Sequence, residues 1–130
     1  MIETKLVQYL SADTALKALA PGGVWADEFP RGTVFPAVLV AQNAESDLSG
    51  VQGRLSEGYK MLIKAVTPGG SFVAAGAIAA RIDVLVLALP RASGYIASTR
   101  ISRVRYVERD GDNRINHLGG LYKVVTEGDV

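Results

Sequence analysis

Two Phe-Pro dipeptides, Phe29-Pro30 and Phe35-Pro36, separate a short apolar pair from a strand in the stretch V-W-A-D-E-F-P-R-G-T-V-F-P-A-V-L-V at positions 24–40. Each proline fixes its own φ near −65° and keeps the phenylalanine before it out of the α region, while Gly32 accepts a positive φ. No helix can run through this stretch. It must be a shaped connection that feeds the alternating run at 37–46, where Val38 and Val40 share one strand face and Leu39 and Ala41 the other.

The flanking segments have their own periods. Ile2, Leu6, Tyr9 and Leu10 recur at helical spacing, and Ser11 is placed to cap a second helical turn system carrying Ala12, Ala15, Leu16 and Leu19 before Pro21-Gly22-Gly23 ends it. A polar, glycine-containing connection at 47–53, long enough for a mobile hairpin tip, joins the strand at 37–46 to a returning strand at 55–66. There Tyr59, Met61, Ile63 and Ala65 alternate with Lys60, Leu62 and Lys64. Thr67-Pro68-Gly69-Gly70 is a turn, Ser71 a cap, and Phe72, Ala75, Ala79, Ile82, Val86 and Leu89 form the buried stripe of a long helix stopped by Pro90, widened by Ile78 and Leu85. A strand at 96–109, a turn at 110–113 and a final strand at 121–127 follow; 114–120 carries no clear period. The order is that of an α+β domain, an antiparallel β-sheet with helices packed on one face, and 130 residues suit a single domain spanning 1–130.

Composition removes several classes. There is no cysteine, so disulfide frameworks and thiolate chemistry are excluded. A net charge of +1 gives no case for a dedicated nucleic-acid or membrane-surface binder. The apolar stretch at 71–89 is long enough to span a bilayer, but Arg81 and Asp83 sit in its middle, which makes it a buried helix of a folded domain. No secretory signal is expected at the N-terminus, where Glu3 and Lys5 interrupt the apolar rhythm.

Catalytic and ligand-binding patterns are missing. His117 is the only histidine, which rules out a histidine metal cluster and leaves a surface or packing role in an expected loop. The acids pair only locally, as Asp27 with Glu28, Glu45 with Asp47 and Asp110 with Asp112, and are expected in solvated turns. Asp110-Gly111-Asp112-Asn113 opens like a calcium loop, but Arg114 breaks the pattern and the closing glutamate is absent. The paired glycines make no phosphate-binding pattern. We expect no catalytic residues, no metal, no cofactor and no enzymatic activity.

The strand at 96–109 is the most charged element. Arg100, Arg103, Arg105 and Arg109 face Glu108 alone, and alternation puts Arg103, Arg105 and Arg109 on one face opposite Val104 and Tyr106. This is either a solvated face paired with acids of an adjacent strand or a contact with a neighbouring subunit, with DNA as the weaker alternative.

Three segments together resemble the tail terminator, or tail completion, proteins of long-tailed bacteriophages and gene transfer agents: the opening helix pair L-V-Q-Y-L-S-A-D-T-A-L-K-A-L, the strand, proline loop and strand of 24–40, and the alanine-rich helix A-A-G-A-I-A-A-R-I-D-V-L followed by a terminal strand pair ending L-Y-K-V-V-T. The resemblance covers nearly the whole chain. It implies a structural virion protein, assembled in the host bacterial cytoplasm, that forms a hexameric ring at the tail-head junction. Such a ring caps the head-proximal end of the tail tube, ends tube polymerisation and joins the tail to the head-closure or connector protein. DNA would pass through the ring without specific binding, and no membrane is involved. The alternative is another neck or tail-tube protein of the same particle. Candidate contacts with subunits or tube are Asp47, Leu48, Val51 and Arg54 around the hairpin tip, and Arg103, Arg105 and Arg109 on the arginine-bearing strand.

Overall fold

The computed structural model describes residues 1–50 and 53–127. Ile2, Leu6 and Leu10 lie on one stripe of helix α1 (Ile2–Ser11), and all three are buried. The short helix α2 (Thr14–Leu19) follows, and its cap is Asp13, whose carboxylate accepts from the Leu16 backbone N–H at 2.8 Å. The expected cap, Ser11, still belongs to the last turn of α1; only Asp13 stands three residues before a free helical N–H.

The chain then forms strands β1 (Val24–Ala26), β2 (Ala37–Gly50) and β3 (Gly53–Pro68), helix α3 (Val73–Val86), a 3₁₀ turn at Arg91–Ser93, and strands β4 (Tyr95–Asp110) and β5 (Asn113–Thr126). They build one five-stranded sheet in the order β1-β2-β3-β5-β4. All pairings are antiparallel except β1 with β2, which is parallel, so the sheet is mixed rather than wholly antiparallel. The Phe-Pro loop is the reason. It returns the chain to the end of the sheet it started from: the Gly22 N–H donates to the Pro36 carbonyl and the Val38 N–H to the Gly23 carbonyl, both at 2.9 Å. Backbone passes so close to backbone here that a Cβ on Gly22 would stand 1.7 Å from the Val34 carbonyl oxygen. Within the loop, Phe29 and Phe35 meet edge to face at 5.2 Å, and the Phe35-Pro36 peptide is cis.

One face of the sheet is covered. In register, Val38 stands beside Ala65, Val40 beside Ile63, Met61 beside Tyr122 and Tyr59 beside Val124, all buried on the side where α1 and α3 pack. Ala75, Ile78, Ala79, Ile82 and Val86 of α3 close that core. Each fully buried large aliphatic side chain contributes roughly 1.5–3 kcal/mol, and α1 with Ile2, Leu6 and Leu10 supplies as many of them as α3 with Ile78, Ile82 and Val86. Helix α3 ends at Val86, before the expected Pro90, because the chain leaves helical geometry in a turn after Leu87. Phe72 is its N-cap position, and the Ser71 hydroxyl accepts from the Val73 N–H at 3.1 Å. The opposite sheet face, with half-buried Leu39, Leu62, Leu121 and Val104, has no helix over it.

Two further expectations change. The segment 114–120 is strand, part of β5, so His117 sits in a sheet and not in a loop. The polar connection expected at 47–53 is also strand up to Gly50 and again from Gly53, with Asp47 opposite Glu57 and Gly50 opposite Gly53. Pairing requires only backbone hydrogen bonds, and polar side chains do not prevent it. Because β5 reaches only as far as Glu57, the distal part of this hairpin pairs solely with itself and extends the sheet as an arm.

Candidate interaction site

Asp83 is the polar centre of the covered face. It projects from α3 toward the sheet, where its carboxylate accepts hydrogen bonds from the Tyr122 hydroxyl and from the Arg100 and Arg103 guanidiniums, the last at 2.9 Å. Tyr122 is fully buried, and burial first, then its bond to Asp83, pushes the phenol pKa well above its usual range. Arg103 also donates to the Gly119 carbonyl at 3.1 Å. A charge set in an apolar helix stripe needs partners, and β4 supplies them from across the sheet.

The arginines of β4 therefore divide. Arg100 and Arg103 are held by Asp83, an acid on the helix rather than on an adjacent strand. Arg105 lies over the Phe72 ring at 4.3 Å, beside Arg114 at 5.8 Å, and makes no ion pair among the described residues. Arg109 stands opposite Arg114 in the β4–β5 ladder, exposed and likewise without an ion pair among the described residues. Asn116 fixes this corner: it accepts from Arg114 Nε at 3.0 Å and donates to the Gly69 and Ser71 carbonyls, both at 2.9 Å.

A second ion pair ties α2 to α3. Arg81 donates twice to Asp13, at 2.9 and 2.7 Å, and this bond, with the Leu16 N–H, lowers the Asp13 carboxyl pKa to about 2.

On the uncovered sheet face His117 stacks on Tyr106, and its Nε2 lies 2.8 Å from Glu108 Oε1. Lys64 reaches over Gly119 to donate to the Tyr106 hydroxyl at 2.6 Å. Burial, opposed by Glu108 and assisted by Lys64, lowers the His117 pKa. Glu108, Lys64 and Tyr106 are each tied to this ring or to one another, which fits a packing role for His117.

The sequence-predicted contact residues separate into two groups. Arg103, Arg105 and Arg109 come together on β4, on the side facing α3, though Arg103 is engaged within the chain. Asp47, Leu48 and Arg54 lie far along the β2–β3 arm and are placed by their backbone alone, and Val51 lies outside the described residues. Trp25, Phe29 and Phe35 are aromatics available to pack on the core or on a neighbouring subunit, and for Trp25 the core is not the destination. Trp25 is exposed at the sheet edge, with its indole N–H fixed on the Gly22 carbonyl at 2.8 Å. The sequence shows Asp83, with Arg81, as a charge inside an apolar stretch, but not its partners, which stand 17, 20 and 39 residues away.

No group of histidine and acidic side chains that could hold a metal occurs among the described residues, and no helix among them is long and apolar enough to cross a membrane. Asp13, Arg81, Asp83, Arg100, Arg103 and Asn116 are spent on internal ties, and β1 and β4 are the outer strands of the sheet. This defines a protein whose notable features are surfaces and edges. The sequence model of the family described as "Tail completion protein gp17" matches residues 4–127, and the chain belongs to that family. A chain in a solved structure titled "Virion of native gene transfer agent (GTA) particle" has the same fold, with a TM-score of 0.68 at 24% identity over 93% of this chain and 90% of that one. No curated protein matches the chain.

Proposed function

We propose that this protein is a non-enzymatic virion component. It caps the head-proximal end of a phage-type tail tube as a ring, ends tube polymerisation and joins the tail to the head connector. The family match over nearly the whole chain carries this reading. The geometry supports it in two ways. The sheet has outer strands, β1 and β4, of the kind that a lone subunit must protect and a ring of subunits covers. The β2–β3 arm, bearing Asp47, Leu48 and Arg54, extends past the β5 pairing, where it can reach a neighbouring layer of the particle.

The test is addition of the purified protein to polymerising tail-tube protein, followed by electron microscopy. Tubes should stop growing and carry one ring of extra density at one end. Unrestricted growth would overturn the capping role, and label distributed along the tube would favour a tail-tube role instead.

A further inference from the structure

The order β1-β2-β3-β5-β4 places the shortest strand and the arginine-bearing strand at opposite edges of the sheet. Their charges are opposite. At the β1 edge, Asp27 and Glu28 are both exposed and form no ion pair among the described residues; Arg31, farther along the loop, is the only cation near them in sequence. At the β4 edge, Arg105 and Arg109 are exposed and form no ion pair among the described residues, and Asp83 sets one carboxylate against both Arg100 and Arg103, leaving one of those charges in excess. Of the acids on this side, Glu108 is tied to His117 on the other face, and Asp110 and Asp112 lie at the end of the hairpin.

Both edges are also apolar and held in place. Trp25 is 39% exposed with its indole bonded to Gly22, and next to it the Glu28 N–H donates to the Ala26 carbonyl at 2.7 Å across Asp27, whose φ is +65°. A three-residue turn of this hand is strained for a non-glycine residue, and strain of this kind collects where a segment must hold a particular shape. Across the sheet, Arg105 is held on Phe72, with Ile101 47% and Val107 38% exposed along the same strand. Tryptophan and arginine side chains that are already ordered lose little freedom on association.

We infer that the acidic β1 edge of one copy, centred on Trp25, Asp27 and Glu28, docks on the basic β4 edge of the next copy, centred on Arg105 and Arg109. The occupant of each edge is a second copy of this chain. Because the two patches differ and lie on opposite edges, the contact is head-to-tail and generates a ring or a filament rather than a two-fold dimer. The exposed valine and isoleucine among the arginines suit a protein surface better than a phosphate backbone. The inference rests on the ring reading above and adds which surfaces form the joint.

Two charge variants test it. Variant one carries Arg105→Glu with Arg109→Glu, so both its edges are acidic; variant two carries Asp27→Asn with Glu28→Lys, so its β1 edge is basic like its β4 edge. Asparagine is chosen because it tolerates a positive φ. Circular dichroism first establishes that each is folded, and sedimentation or mass photometry then gives assembly size. Each variant alone should associate at least tenfold more weakly than the unaltered protein, and an equimolar mixture should recover assemblies of strictly alternating composition. If folded variants assemble as the unaltered protein does, or the mixture recovers nothing, the edge contact is wrong while the ring reading stands. If the variants keep their self-assembly but lose binding to tail-tube protein, the β4 edge serves that partner and the inference fails. An unaltered protein that stays monomeric alone and on tubes removes both readings.

Discussion

His117 lies flat against Tyr106, with ring centroids 4.3 Å apart and planes 6° from parallel, and the stack is closed on either side by Glu108 and Lys64. Glu108 accepts from the neutral ring only if Nε2 carries the proton, which leaves the buried Nδ1 as a lone pair without a donor. A second proton would have to enter at that buried nitrogen, against the charge of Lys64.

The pH dependence of stability follows from this arrangement. The His117 pKa is lowered in the folded protein, so below pH 6.5 the unfolded chain binds a proton more readily than the folded one. Its contribution is complete above that value and declines as pH falls toward the folded pKa. Denaturant titrations between pH 7.5 and 5 should show this decline, and His117→Phe, which keeps a stacked ring, should flatten it. An unchanged slope in the variant would refute the assignment.

Asp13 acts at the acid end. Its carboxyl is held near 2 by Arg81 and the Leu16 N–H against an ordinary value of 3.8, so its contribution is present above 3.8 and is lost as pH falls toward 2. Asp13→Asn keeps an N-cap acceptor but discards the charge. It should lower the melting temperature at pH 7 by less than Asp13→Ala does, and it should remove most of the additional loss seen between pH 4 and pH 2.

Removing the Asp83 carboxylate should have a larger effect. Asp83→Ala leaves the Tyr122 hydroxyl buried without its acceptor and the Arg100 and Arg103 guanidiniums adjacent without a counter-charge. Abandoned buried polar groups cost about 1–3 kcal/mol, and Tyr122→Phe, which removes the donor and leaves the carboxylate to its arginines, should cost about 1 kcal/mol. Chemical denaturation of the two variants and the double variant measures the order. Equal losses would mean that the arginines add nothing to what the Tyr122 hydroxyl contributes, and no loss in Tyr122→Phe would mean that they hold Asp83 without it.

Gly119 should tolerate no side chain. A Cβ there would stand 2.2 Å from the Ile63 carbonyl oxygen and 2.4 Å from the Lys64 Cα, both backbone atoms of β3. Gly119→Ala must push β5 away from β3 at the centre of the sheet, and we expect a loss of more than about 2 kcal/mol, in the range of overpacked cores, or no soluble protein. Gly76→Ala, on α3 with open space around the new methyl, serves as the control and should raise stability by up to about 1 kcal/mol.

Much of the architecture could be read from the chain because it is written in local periods. The alternation of Val38 with Leu39 and of Met61 with Leu62, and the helical stripe from Ala75 to Val86, each place side chains on faces by backbone geometry alone, and the structure keeps those faces. Pairing partners are a different kind of information. Nothing in 114–120 has a period of its own, because Asn116, His117 and the two glycines are chosen for what they meet on β3, β4 and the start of α3. The parallel pairing of β1 likewise depends on where the Phe-Pro loop closes, through hydrogen bonds from Gly22 and Val38 that join residues 14 and 15 positions apart.

By itself, then, the sequence determined the order of the elements with a clear period, their buried faces, the absence of thiol and histidine-cluster chemistry, and the family pattern, since each depends on residue type and short spacing. Only the tertiary structure decided which arginines are spent and which are free. Arg103 and Arg105 are two residues apart on one strand face, but α3 brings a carboxylate to the first and a phenyl ring to the second. Charge becomes an available surface only after the fold has chosen its own internal partners, and that choice is made by contacts between segments far apart in the chain.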